Sequence, residues 1–137
     1  MTKDSTYLQP TTSGIVTAMW NKLTHNAEQL YQINIETKRW NLNYKAKSKE
    51  NPNNLREEKN ITFTPIHAYI SHENKKTKLL IVNLSEERIS TDLSTIIGHC
   101  EMTQYYGKPS DKIVKVIKQN LKGMVELEPY SISLLEE

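Results

Sequence analysis

The chain has 137 residues, with 18 basic and 16 acidic side chains and a formal net charge of +2. That length suits one domain able to bury a core without metal or disulfide staples, and the near-balance of charge excludes a field strong enough to select a polyanion such as nucleic acid. A single cysteine, Cys100, cannot bridge internally, and the longest apolar run, Leu79 to Val82, is far too short to span a bilayer, so neither a membrane segment nor a signal peptide is read here.

The first predicted element is a helix. Thr11, Thr12 or Ser13 offers an N-cap, and Ile15, Val16, Met19, Trp20 and Leu23 recur at helical spacing to about His25. Trp20 is read as core. From Gln29 the period falls to two: Leu30, Gln32 and Asn34 alternate with Tyr31, Ile33 and Ile35, and a second alternating strand carries Trp40, Leu42 and Tyr44 on one side. Residues 45–60 hold two apolar side chains and no period, which predicts a polar, solvated hairpin loop of mixed charge. Phe63, Ile66, Ala68 and Ile70 then define a strand whose inward parity shifts at Pro65.

A polar turn over 72–78 leads into Leu79-Leu80-Ile81-Val82, the pattern of a central strand covered on both faces. Ile89, Thr91 and Leu93 mark another strand; Cys100, Met102 and Gln104 share one face of the next, which ends in Tyr105-Tyr106-Gly107. The segment 113–121 suits a helix by spacing, with Ser110 and Gly123 as its limits, and a strand by its β-branched residues; its strand neighbours decide for a strand. The closing stretch has Val125 and Leu127 inward before Pro129, and Tyr130, Ile132 and Leu134 inward after it, which predicts one strand with a bulge or bend at the proline. The expected fold is mainly β: an antiparallel sandwich of about seven to eight strands preceded by one N-terminal helix, organised as 1–28 (segment and helix) and 29–137 (sandwich, with the polar loop at about 45–60).

Chemistry is sparse. Glu50, Glu57, Glu58, Glu86, Glu87, Glu136 and Glu137 fall in loops or at the end of the chain, and Glu101, Glu126 and Glu128 have the outward parity of their strands. A protected acid–base pair is not among them. The histidines at 25, 67, 72 and 99 lack metal-ligand spacing, so no metal and no cofactor is expected. His99 and Cys100 are adjacent on a strand and point to opposite faces, which rules out a nucleophile pair and leaves Cys100 as a small core residue. Asn60-Ile61-Thr62 and Asn83-Leu84-Ser85 match the glycosylation sequon by chance composition. The remaining candidates are aromatic: Trp40, Tyr44, Tyr105 and Tyr106 are of the type that stacks on a sugar ring, and the preferred reading of the residues places at least two of them in the core or at an interface.

Three passages carry a family resemblance. Gln9-Pro10-Thr11-Thr12-Ser13-Gly14 leading into Ile15 to Trp20, the strand Lys78 to Val82 followed by Asn83-Leu84-Ser85, and the closing Leu127-Glu128-Pro129-Tyr130-Ser131-Ile132-Ser133-Leu134 lie in this order along the chain. Together they resemble the C-terminal β-sandwich that follows the catalytic (β/α)8 barrel in α-L-arabinofuranosidases and related retaining glycoside hydrolases. Glu128 departs from that pattern, standing where the first of two prolines is usual. The resemblance implies a non-catalytic accessory domain whose partner is the barrel and whose parent enzyme is secreted or periplasmic. The two glutamates that such enzymes set about 5 to 5.5 Å apart for double displacement would belong to the barrel, so none is assigned in this chain, and the chain alone is expected not to be an enzyme. A free-standing carbohydrate-binding module with polysaccharide as ligand, and a protein-interaction domain with no sugar role, are the alternatives. No nucleic acid or membrane partner is expected. In several families of this resemblance the sandwich borrows a strand from the segment before the barrel, which would leave one sheet edge of this chain open and inviting self-association.

Overall fold

The computed structural model describes residues 12–35, 40–47, 56–108 and 113–137, with 40–47 and 56–63 described through their backbone. It is mainly β, as expected: one helix, α1 (Thr12–Thr24), and ten strands among the described residues, in antiparallel sheets. The strands are β1 (Gln29–Ile33), β2 (Trp40–Lys47), β3 (Arg56–Phe63), β4 (Ile66–Glu73), β5 (Lys76–Asn83), β6 (Ile89–Asp92), β7 (Cys100–Tyr106), β8 (Lys115–Leu121), β9 (Met124–Leu127) and β10 (Ser131–Glu136). The chain forms two compact units, residues 36–65 and the remainder.

The smaller unit is a hairpin in which β2 pairs with β3 from Trp40↔Phe63 to Lys47↔Arg56. The ladder reaches further into 45–60 than the apolar pattern suggests. A two-stranded ladder needs only backbone partners, and this register sets Lys45 against Glu58, a charge order that favours extension.

The larger unit is built on a six-stranded sheet in the order β1-β4-β5-β10-β7-β8. One face packs against the small β6–β9 ladder to form the sandwich core: Ala68, Ile70, Leu79, Ile81, Met102 and Leu135 from the sheet meet Leu93, Ile97, Val125 and Leu127. The other face carries α1, whose Ile15, Met19 and Leu23 pack on Leu80 and Leu134. Central strands β5 and β10 are therefore apolar on both sides, which is why Leu79 to Val82 and Ile132 to Leu135 abandon strict alternation. Segment 113–121 contains strand β8, settling the helix-or-strand ambiguity.

Helix α1 buries a narrow stripe at i, i+4 and i+8, and Trp20 is not core. It stays 38% exposed at the helix margin, its ring edge-on to Tyr69 with centroids 5.3 Å apart. A three-residue stripe already fills the width the sheet offers, so Val16 and Trp20 remain at the flank. The last carbonyls of the helix are satisfied by the sheet: Ser71 Oγ donates to Leu23 O at 2.7 Å and Lys78 Nζ to Lys22 O at 2.9 Å. Asn26, with φ of 55°, turns the chain away in the left-handed conformation that asparagine tolerates.

Two expectations about prolines need the same correction. The strand read across Pro65 is two strands, β3 in the hairpin unit and β4 in the large sheet; the strand read across Pro129 is also two, β9 paired with β6 and β10 paired with β5 and β7. The parity change marks a change of sheet, not a bulge within one. Proline cannot donate to a ladder, so it sits where one ladder has ended and the next has not begun. The left-handed Tyr130, φ 51°, completes the second crossing. The polar turn is also tighter than 72–78, a two-residue turn at Asn74-Lys75 with φ of 45° and 66°, both positive as a type I′ hairpin requires.

Candidate functional site

The densest polar constellation lies under the β9–β10 crossing. Asn83, at the end of β5, is fully buried. Its Nδ2 donates toward Glu87 O and Glu128 O, both at 3.0 Å, with Leu127 O at 3.3 Å. Its Oδ1 accepts from Ser85 N at 3.0 Å and from Ser85 Oγ at 2.7 Å. Tyr130 N in turn donates to Ser85 O at 3.1 Å. The passages Asn83-Leu84-Ser85 and Glu128-Pro129-Tyr130 are thus one clasp in space.

Gln104 on β7 grips the same crossing from the next strand but one. Its Nε2 donates to Ser133 Oγ at 2.8 Å and to Glu126 O at 3.0 Å, and its Oε1 accepts from Glu128 N at 3.1 Å. Buried amides satisfied in this way specify a single arrangement of backbone. On the surface Arg88 closes over the crossing, with one guanidinium nitrogen 2.9 Å from Glu128 and the other 4.0 Å from Glu126. The inward parity of Gln104 beside Cys100 and Met102 was the available signal; that its partners are the Ser133 hydroxyl and backbone atoms of a remote crossing was not readable. This constellation holds backbone in place: its buried members are amides and hydroxyls bonded to main-chain atoms and to one another.

The aromatic candidates fall in both units. Trp40 and Tyr44 lie on β2, at the register positions facing Phe63 and Lys59; their side chains lie outside the described residues. Tyr105 and Tyr106 are adjacent and half-buried on β7. Tyr105 packs in the cluster beneath α1, and Lys115 Nζ stands 5.9 Å over the Tyr106 ring. The structure brings these two together on the wall of a groove of about 240 Å³, alongside Ile15, Val16, Val114 and Tyr130.

A second, wider recess is lined by His99, Cys100, Glu101, Asn120, Glu136 and Glu137. Its chemistry is structural. Both Glu137 carboxylate oxygens accept backbone N–H groups, from Thr77 and, at 3.1 Å, from Gly98. Burial, together with the nearby Glu137 charge, pushes the Cys100 thiol above its usual range, the reverse of what an activated nucleophile needs. His99 is exposed and stands just before β7, whose first residue, Cys100, is buried. Among the described residues the buried polar side chains are Ser, Thr, Asn and Gln, with no carboxylate.

No protein-family model matches the chain, and no curated protein matches it in sequence. Among solved structures the chain is similar to an arabinofuranosidase, with a TM-score of 0.53 and 18% identity over 82% of this chain and 26% of that one. A MUTB mutant from crystals soaked with trehalulose is a more distant neighbour, with a TM-score of 0.36 and 21% identity over 53% of this chain and 12% of that one. At such identity the first likeness is one of fold alone, and the chain spans about a quarter of the arabinofuranosidase it matches.

Proposed function

We propose that the chain is a non-catalytic accessory β-sandwich of an arabinofuranosidase-like, polysaccharide-degrading glycoside hydrolase, where it supports a catalytic (β/α)8 barrel. The observation that carries this reading is the proportion of the fold likeness: 82% of this chain corresponds to 26% of an arabinofuranosidase, the share expected of an appended domain. The reading also accounts for a molecule whose buried polar groups brace backbone. Two measurements test it. The purified chain, offered aryl-arabinosides and aryl-xylosides, is expected to give no turnover, and turnover retained in the pure chain would overturn the accessory role. The coding sequence immediately upstream of Met1 is expected to encode an in-frame barrel; an in-frame stop codon with an independent ribosome site there would overturn the link to a barrel.

A second reading, a carbohydrate-binding module, draws on the groove that Tyr105 and Tyr106 share. It predicts that plant or algal polysaccharides change tryptophan fluorescence, and an unchanged spectrum across the panel would remove it.

A further inference from the structure

We infer that the outer edge of β1 is a self-association surface, on which the β1 strands of two copies pair antiparallel about a two-fold axis through Tyr31. The large sheet ends in β1 on one side and β8 on the other. Each therefore presents a row of backbone donors and acceptors that no strand among the described residues engages, and such a row is a template for another strand. The two edges differ in how they are defended. β8 carries Lys115 and Lys118, and an antiparallel pairing centred on its middle residue would set Lys118 against itself. β1 reads Gln-Leu-Tyr-Gln-Ile: it has no charge and no proline, the two features that ordinarily blunt an edge.

The other edges are also defended. β3 is rich in Lys, Arg and Glu, β2 carries Lys45 and Lys47 in its second half, and β6 and β9 are four-residue strands. Along its whole length β1 is self-complementary in the simplest sense, since a two-fold axis through Tyr31 pairs Tyr31 with its copy, Leu30 with Gln32 and Gln29 with Ile33, all neutral. Its side chains are also available: Leu30 is 42% exposed and Tyr31 49%, and paired aromatic rings across an antiparallel ladder add to the backbone bonds. A closed two-fold contact of this kind consumes both copies' edges and stops at a dimer.

Sedimentation velocity on the full chain over a broad concentration range tests this, with Tyr31→Lys, Tyr31→Glu and, as a control on the opposite edge, Val116→Lys. The unmodified chain and Val116→Lys are expected to show a dimer fraction rising with concentration. Each Tyr31 variant alone is expected to associate about tenfold more weakly, since like charges then meet on the axis. An equimolar mixture of the two is expected to recover the dimer as an oppositely charged pair, which also shows that both variants are folded. A chain that stays monomeric at every concentration would overturn the inference. So would a dimer that ignores Tyr31→Lys, one that Val116→Lys weakens as much, or a mixture that fails to recover.

Discussion

Truncating Asn83 is the sharpest test of the clasp beneath the β9–β10 crossing. The amide has two hydrogens to donate, with carbonyls at 3.0 Å on Glu87 and Glu128, and its oxygen accepts from Ser85 N at 3.0 Å. In Asn83→Ala, Ser85 Oγ can turn to Glu87 O, already 3.1 Å away, so that hydroxyl keeps a partner. Ser85 N and the Glu128 carbonyl do not. Two lost bonds at about 1 kcal/mol each, plus about 1 to 2 kcal/mol for a buried donor left unpaired, give a loss of about 3 to 4 kcal/mol. Against a total stability of about 5 to 15 kcal/mol, this should lower Tm by roughly 10 to 15 °C. Urea unfolding followed by tryptophan fluorescence measures it, with Ser85→Ala as the comparison at about 1 kcal/mol, because only its hydroxyl is removed. A loss below about 1 kcal/mol for Asn83→Ala at unchanged m-value, or an equal loss for Ser85→Ala, would refute the assignment of Asn83 as the centre of the clasp.

Other consequences are as direct. Leu23 is fully buried between α1 and the sheet, so Leu23→Ala should cost about 2 to 5 kcal/mol in the same unfolding assay; a cost near zero would mean the helix is not docked. Lys75, with φ of 66° in the β4–β5 turn, should be improved by glycine, and Lys75→Gly is expected to raise stability by about 1 kcal/mol, read as a higher urea midpoint. The Cys100 thiol, raised by burial, should react with a thiol-specific disulfide reagent only as the protein unfolds, and rapid stoichiometric labelling of the native chain would contradict its placement. The sign of the linked pH effect follows. The neutral thiol's contribution is complete below the unfolded-chain thiol pKa and is lost as pH rises through the higher folded value, so Cys100→Ala should flatten the alkaline limb of the stability profile.

The helix, the central strand and the inward face of β7 were legible because each obeys a single local period. The prolines were legible as places where parity changes, yet a bulge and a change of sheet produce the same local pattern. Which one occurs at Pro65 and Pro129 depends on what lies across the ladder, and that is non-local. Trp20 misled for a related reason: helical spacing identifies a broad apolar arc, and the width of the surface facing it decides how much of the arc is buried. The amides of Asn83 and Gln104 had visible positions, but their partners are carbonyls and an N–H on a segment more than twenty residues away. Trp40 and Tyr44 were chosen with Tyr105 and Tyr106 on residue type, and residue type does not say which rings share a surface.

The hairpin from residue 36 to 65 departs after β1 and returns at β4, and those two strands are themselves direct neighbours, with Ile33 opposite Ala68. Topologically it is an insertion at a β-turn position of the parent sheet, whose ends the sheet already holds together. Its own ladder begins at Trp40↔Phe63, and loop-closure entropy rises only slowly with length. The position is therefore a permissive one, at which lengthening, trimming or exchanging the hairpin leaves the hydrogen-bond register of the remaining eight strands unchanged.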